Sequence, residues 1–205
     1  MASPARTRPP LHSGDRLNRA AFHAIYRERD DLVKAELVQG VVYLPSPAGF
    51  EGHAKPQALI GLWLGGYAAR HDELDSGVEA TVLLDGDTEV QPDGLLFRRG
   101  AAGTATISRE DFIEGAPELI VEVASSSASY DLHDKKEAYR AAGVGEYVVW
   151  DTHATVIHWF VLEDSEYRKL ESTDGVFESV QFRGLRLDTR AALDGDRRRL
   201  LQALD

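Results

Sequence analysis

The segment that most constrains the fold of this chain runs from residue 117 to residue 151, where a strand, a charged helix and a second strand follow one another. Residues 118–124 form a run hydrophobic enough to be a strand buried on both faces. The sequence predicts a helix over 131–142, ended by Gly143 as its C-cap, and a strand over 146–151 rich in Tyr, Val and Trp. Any fold of this chain must therefore accommodate Glu122, which interrupts the first strand.

Glu122 is an acidic residue at a position that is predicted to be buried. Burying an unpaired carboxylate is costly, so this side chain should be paired or should coordinate a cation. The alternative is an edge strand that turns Glu122 toward water. Upstream, Asp93 follows Pro92 at the start of a predicted strand over 93–97, although Pro-Asp pairs are also common in turns. If the two strands are neighbours, a divalent cation would relieve the repulsion between the two carboxylates.

A lysine on the predicted helix could complete this group. Lys135 lies four residues after Asp131 and four before Tyr139, so the three share one helix face. An ammonium at a phosphodiester site can orient the attacking water and stabilise developing negative charge. The alternative is an i,i+4 ion pair of Asp131 with Lys135, worth only about 0.3–0.5 kcal/mol. Glu36 opens another strand and His53 opens a long helix; taken alone, Glu36 is more typical of a surface strand acid and His53 of a helix-terminal or solvent-exposed histidine.

Composition suggests one domain. The 205 residues, 43% of them hydrophobic, suit a single globular unit with an ample core. Residues 1–16, rich in Pro, Arg and Ser, are expected to be a disordered or loosely attached leader, and residues 17–205 the domain. Because no apolar run of about 18 residues could span a bilayer and the N-terminus has no secretory signal, we expect a cytoplasmic protein without a membrane partner.

Charge and cysteine content limit the chemistry. The chain has no cysteine, so a metal would be held by oxygen or imidazole ligands, as suits Mg²⁺ or Mn²⁺. Its formal net charge is -11, whereas duplex binding usually leaves a basic footprint. Nucleic acid is therefore a partner that the net charge does not support, and the short basic runs at 98–99, 135–136 and 197–199 are more typical of solvated surface.

Hydrophobic periodicity predicts the remaining elements. Helices are expected over 18–30, capped by Asn18, over 53–71 and over 189–203. Two short strands should flank the turn at Gln39-Gly40, and further strands are predicted over 77–84, 155–162, 166–171 and 177–187. The polar, glycine-bearing segment 98–115 is interpreted as a long loop that could cover a site as a lid.

Together these residues resemble the Uma2 family, also called DUF820 or the restriction endonuclease family, which has the PD-(D/E)XK nuclease-like fold. The resemblance covers about residues 18–190. Its motifs occur in one order: Glu36-Leu-Val-Gln-Gly-Val-Val, Pro45-Ser46-Pro47, His53, Gln91-Pro92-Asp93, the strand of residues 117–123 with Glu122, Ser125-Ser-Ser, Asp131-x3-Lys135-x3-Tyr139 and Gly143-Val144-x-Glu146-Tyr147.

The resemblance implies an α/β (α+β) fold of the restriction-endonuclease type. Its core would be a mixed central β-sheet flanked by helices, with extra antiparallel strands toward the C-terminus. Asp93, Glu122 and the carbonyl of Val123 would bind Mg²⁺ or Mn²⁺. Glu36 would be an additional acid near the metal, and His53 would line the site. Family resemblance also implies a homodimer.

The chain departs from the parent nuclease motif at one position. That motif places a lysine two residues after the second acid, where this sequence has Ala124. The family pattern supplies Lys135 from the following helix instead, with Asp131 and Tyr139 in support. The geometry of Lys135 therefore becomes the feature on which the hypothesis depends.

The sequence thus suggests a metal-dependent endonuclease that hydrolyses phosphodiester bonds of nucleic acid, with Mg²⁺ held by Asp93 and Glu122 and the attacking water oriented by Lys135. Two alternatives stay open. The acidic charge and the missing lysine at position 124 favour a non-catalytic dimeric binding or accessory module of the same fold. The acidic surface also fits a hydrolase of small nucleotide-like phosphodiesters better than an enzyme acting on long DNA.

Overall fold

The computed structural model describes residues 10–29, 34–125 and 128–204 of the chain. A π-helical turn, Phe50–Ala54, directly precedes the helix that begins at Lys55. A second π-helical turn, Asp131–Lys135, lies between two α-helical segments. The α-helices are α1 (Arg19–Tyr26), α2 (Lys55–Ala68), α3 (Ala128–Tyr130), α4 (Lys136–Ala142), α5 (Thr189–Asp194) and α6 (Arg197–Gln202). None of the helices in these described ranges is long and apolar enough to cross a membrane.

The strands form two six-stranded mixed sheets and one small hairpin. They are β1 (Glu36–Val38), β2 (Val41–Tyr43), β3 (Leu74–Gly77), β4 (Val82–Leu83), β5 (Glu89–Val90), β6 (Gly94–Arg98), β7 (Ala105–Ile107), β8 (Ile113–Gly115), β9 (Leu119–Ala124), β10 (Glu146–Asp151), β11 (Val156–Glu163), β12 (Glu166–Lys169), β13 (Val176–Glu178) and β14 (Arg186–Asp188). The core sheet has the order β12-β11-β10-β9-β6-β3, the flanking sheet has the order β2-β1-β5-β4-β8-β7, and β13 pairs with β14.

Strand β9 is buried along its whole length at the centre of the core sheet. It pairs in parallel with β10 and antiparallel with β6. Because side chains alternate along a strand, Leu119, Val121 and Val123 pack against α2, whereas Ile120 and Ala124 join a second core with the flanking sheet and α4. Glu122 belongs to this second face, so the edge-strand alternative for Glu122 is wrong. The mixed central sheet with flanking helices and C-terminal antiparallel strands is confirmed.

The register between β6 and β9 places the two predicted acids together. Gly94 pairs with Val121, so Asp93, one residue before β6, lies opposite Glu122. Directly opposed residues of an antiparallel pair point to the same face of the sheet. Asp93 and Glu122 are both almost fully buried there.

Several predicted elements are divided in the structure. The single strand expected over 77–84 is two strands, β3 in the core sheet and β4 in the flanking sheet, because the chain crosses between them with Glu79 at φ +55°. The strand expected over 177–187 is likewise the hairpin of β13 and β14. The helix expected over 189–203 is broken at Gly195, which adopts φ +72°, and α6 restarts after Asp196, whose side chain accepts from two backbone amides.

The polar segment 98–115 is not a lid. It carries a 3₁₀ turn (Gly100–Ala102) and the antiparallel pair β7 and β8, and β8 extends the flanking sheet by pairing with β4. Buried Ala105 and Ile113 anchor this pair in the core, which the polar composition of the segment concealed.

The shorter elements follow local signals. Asn18 caps α1 through a hydrogen bond from the amide of Ala21, and the helix ends at Tyr26, before the expected residue 30, which lies outside the described residues. In the expected leader, residues 1–9 also lie outside the described part. Residues 10–16 pack on the domain, since Leu11 is buried and the Gly14 amide donates to the carbonyl of Val42.

We predict that Gly94→Ala lowers the free energy of unfolding by about 1–3 kcal/mol, the usual cost of overpacking a core. A Cβ at Gly94 would overlap the Ile60 side chain and lie 3.1 Å from Leu64 Cδ1, so α2 would have to move away from β6. Gly86→Ala is the control, because no atom lies within 4 Å of its added Cβ. Urea unfolding measures both, and equal losses in the two variants would contradict the packing account.

Candidate active site

A buried ion cluster joins the two sheets to the helix that follows β9. The Lys135 ammonium lies 2.9 Å from Glu122 Oε1 and 2.9 Å from Glu36 Oε2, and 3.9 Å from Asp131 Oδ1. The Tyr139 hydroxyl donates to Glu122 Oε1 at 2.7 Å. The side chains of Lys135, Glu122 and Glu36 are each no more than 4% exposed. The predicted pairing of Asp131 with Lys135 is present, but it is the longest of these three ion pairs.

Burial and charge act in opposite directions on the two ends of this cluster. Burial raises the pKa of the Glu122 carboxyl to about 8, against the opposing effect of Lys135. Burial alone would lower the pKa of Lys135, but the adjacent carboxylates of Glu122, Glu36 and Asp131 raise it well above its ordinary value. Lys135 therefore stays charged, and Glu122 gains its full negative charge more readily when further positive charge is close by.

Asp93 is held by the backbone of β9 and by α2. Its Oδ2 accepts a hydrogen bond from the Val123 amide at 2.7 Å, and its Oδ1 accepts from Gln57 Nε2 at 3.0 Å. His53 Nε2 lies 3.1 Å from the same Oδ1. Burial opposes ionisation of Asp93, but the hydrogen bond from His53 and the charge of Lys34 hold the pKa of Asp93 below its usual range. The hydrogen bond to Asp93 in turn raises the pKa of His53.

The two clusters line one cavity of about 290 Å³. Its wall contains the carboxylates of Glu36, Asp93, Glu122 and Asp131 and the ammonium groups of Lys34 and Lys135, together with His53, Tyr43, Tyr130 and the loop Leu44–Ala48. Counted over these described lining residues with all four carboxylates ionised, the formal charges leave an excess of two negative charges. An anionic substrate would be repelled from this cavity unless a cation entered with it.

A second group of metal-ligand atoms includes Asp93. Ligand atoms of His53, Glu79 and Asp93 lie within 4.8 Å of one another. Gln57 bridges this group, since its Nε2 donates to Glu79 Oε1 at 2.7 Å and to Asp93 Oδ1. Imidazole and carboxylate donors suit a divalent cation, so the residues present fit the class of metal that the sequence predicts.

The structure thus brings every predicted site residue to one cavity or to its immediate support. Val123 contributes its backbone, through the amide that donates to Asp93 and a hydrogen bond with His53. The sequence interpretation missed three polar residues, Lys34, Gln57 and Glu79. Lys34 could have been found from its position two residues before Glu36, since alternate residues of an extended chain face the same side. No local pattern distinguishes Glu79.

Comparison with known proteins identifies the family and the fold. The family model Uma2, described as "Putative restriction endonuclease", matches residues 19–190. Among solved structures, the chain is similar to one described as a "putative nuclease belonging to DUF820" from Anabaena variabilis. The similarity has a TM-score of 0.58 at 16% identity and covers 78% of this chain and 89% of that chain. No protein with a curated description matches the sequence.

We predict that Lys135→Met lowers the free energy of unfolding by about 3–5 kcal/mol, because two buried carboxylates lose their shared cation. Adding Glu122→Gln should restore part of the loss by removing one of those charges. Lys136→Met is the matched control one residue along the helix. Its ammonium lies 3.8 Å from the centre of the Phe160 ring, a contact worth only about 0.5–1 kcal/mol. Chemical denaturation of the four proteins tests this, and a Lys135→Met loss no larger than that of Lys136→Met would refute it.

Proposed function

Because the chain belongs to the Uma2 family of restriction endonuclease relatives, we propose that it is a metal-dependent endonuclease that hydrolyses phosphodiester bonds of nucleic acid. The observation that carries this proposal is the placement of Asp93 opposite Glu122 in the wall of one cavity, with the Lys135 ammonium 2.9 Å from Glu122. Two strand acids and one lysine are the groups that such a reaction requires.

The cation, Mg²⁺ or Mn²⁺, would be held by Asp93 and Glu122, with the Val123 carbonyl and His53 as further ligands. When bound, such an ion supplies polarisation of the scissile phosphate and a lower pKa for a coordinated water. Its charge also offsets the negative excess of the cavity wall and favours the ionised form of Glu122. Glu79 is close enough to Asp93 to take part on the side of α2.

The protein's own groups have distinct tasks in this proposal. Lys135 fixes the orientation of Glu122 and, from the same position, can orient the attacking water. Tyr139 donates to Glu122 Oε1, the oxygen that Lys135 also contacts, so that among the described residues Oε2 would be available to a cation. Glu36 accepts from the Gln91 amide at 2.9 Å as well as from Lys135, so it holds the lysine in place and joins β1 to the segment that carries Asp93.

The size of the cavity supports a second candidate of the same chemistry, a hydrolase of small nucleotide-like phosphodiesters. Its volume of about 290 Å³ is at the lower end of the range for small-ligand pockets. The net charge of -11 also suits a small substrate better than a long duplex. Relative turnover of a mononucleotide diester and of an oligonucleotide separates the two candidates.

We expect Mn²⁺ to bind the protein and Asp93→Asn to weaken that binding more than any other single change, because Asp93 belongs to both ligand groups. Isothermal calorimetry at millimolar Mn²⁺ measures the affinity. Glu110→Gln, which removes an exposed acid paired with Arg27 outside the cavity, is the control. Equal affinities in wild type and Asp93→Asn would exclude Asp93 as a ligand, and absence of uptake by wild type would favour the non-catalytic module.

We further expect Asp93→Asn and Glu122→Gln each to reduce metal-dependent cleavage by more than about 100-fold, since loss of a direct ligand should exceed the 10–100-fold cost of losing an outer partner. Cleavage of single- and double-stranded DNA and RNA is measured with Mg²⁺ or Mn²⁺. Glu146→Gln is the control, because Glu146 is a buried carboxylate of β10 that contacts Ser179 and lies outside the cavity wall. Cleavage activity equal to that of the wild type in both site variants would refute the proposal.

A further inference from the structure

Lys135 is poorly placed to contact a substrate, although it pairs with the buried carboxylates of the cavity wall. An ammonium has three N–H donors, and Lys135 directs its ammonium at Glu122 and Glu36 while Asp131 lies at 3.9 Å. Its side chain is 4% exposed, and the Tyr130 ring covers it with its centre 5.5 Å from Nζ. Two of its three N–H donors are therefore in use, which leaves one for the attacking water, and a phosphate would have to compete with that water or displace one of the carboxylates.

The second lysine of the cavity wall is held much less tightly. Lys34 Nζ lies 3.5 Å from Glu79 Oε1, and that oxygen also accepts from Gln57 at the shorter distance of 2.7 Å. The Lys34 side chain is 17% exposed and Glu79 is 45% exposed, so solvent screens the pair and it contributes little to stability. Lys34 can therefore exchange Glu79 for another anion at small cost.

The backbone fixes where Lys34 points. Ala35 and Glu36, which follow it, are buried at the start of β1. Lys34 and Glu36 are two residues apart in the sequence, and both line the cavity. A lysine side chain is ordinarily charged at neutral pH, so Lys34 brings a positive charge to the cavity wall.

We propose that Lys34 is a catalytic residue that binds the phosphate of the substrate, while Lys135 remains paired inside the wall. This inference rests on the proposed function. It assigns phosphate binding to Lys34 and leaves the orientation of Glu122 to Lys135, whereas the parent motif has a single lysine. A phosphodiester in the cavity would draw Lys34 away from Glu79. The Glu79 carboxylate would then be available to a cation held beside Asp93. The phosphate gains a charge-assisted hydrogen bond that strengthens as negative charge develops on its oxygens.

The test compares Lys34→Gln and Lys34→Arg with Lys169→Gln, an exposed lysine of β12 outside the cavity wall. Binding of a fluorescent single-stranded DNA oligonucleotide is measured with Ca²⁺, which takes the same class of oxygen ligands, over a range of salt concentrations. Lys34→Gln should weaken binding and lower the slope of log affinity against log salt by about 0.7–1, the value for one phosphate contact. Lys34→Arg should restore both, and Lys169→Gln should change neither.

Cleavage kinetics with Mn²⁺ complete the test. Lys34→Gln should reduce kcat/KM by about 10-fold or more with an unchanged thermal midpoint, and Lys34→Arg should recover most of it. Affinity and salt slope equal to those of Lys169→Gln would overturn the role of Lys34. If wild-type protein binds the oligonucleotide without cleaving it, the proposed nuclease activity is refuted. The comparison of binding affinities then still tests the role of Lys34. Wild-type protein that does neither would refute both proposals.

Discussion

The arrangement of the site depends on one buried ammonium. Lys135 is the point at which β1, β9 and the helix after β9 meet, because its Nζ contacts Glu36 and Glu122 at 2.9 Å each. Desolvating these three charges is expensive, and their attraction repays the cost only when the geometry is good and the remaining lone pairs are satisfied. Tyr139 and the Gln91 amide supply those additional hydrogen bonds. The flanking sheet is thereby fixed relative to the core sheet at the position where Asp93 faces Glu122.

The same cluster limits what each group can do. A lysine that balances two buried carboxylates cannot also be a mobile phosphate receptor, and a buried glutamate with its pKa near 8 gains its charge most readily beside a cation. The electrostatics of the cavity wall therefore favour a bound cation, which supports the proposed use of a divalent metal. The loosely paired Lys34 at the cavity wall then has a task that Lys135 cannot perform. The two lysines thus differ in accessibility: Lys135 is buried in the wall, and Lys34 faces the cavity.

Features that depend on residues close together in the sequence could be predicted from it, whereas features that depend on contacts between distant segments could not. The Asn18 cap, the Gln39-Gly40 turn, the Gly143 C-cap and strand β9 depend on neighbouring residues, and the sequence identified them. The division of residues 77–84 could not be foreseen, because the chain leaves one sheet for the other there and Glu79 adopts φ +55° to do so. For the same reason the motifs located Asp93, Glu122 and Lys135 but not Gln57 or Glu79, whose approach to Asp93 is set by the packing of α2 and by that crossing.

Ala124 explains why the lysine must come from the helix. Its side chain lies on the same face of β9 as Glu122 and is 0% exposed, within the core shared by β9, α4 and the flanking sheet. A lysine at position 124 would place a charged side chain in this closed core, which also contains Ala138 and Tyr139 of α4. Supplying the ammonium from residue 135 has a physical consequence. The carboxylates of β1 and β9 share a cation that the helix supplies, so the ion cluster depends on the packing of that helix, to which Tyr139 also belongs.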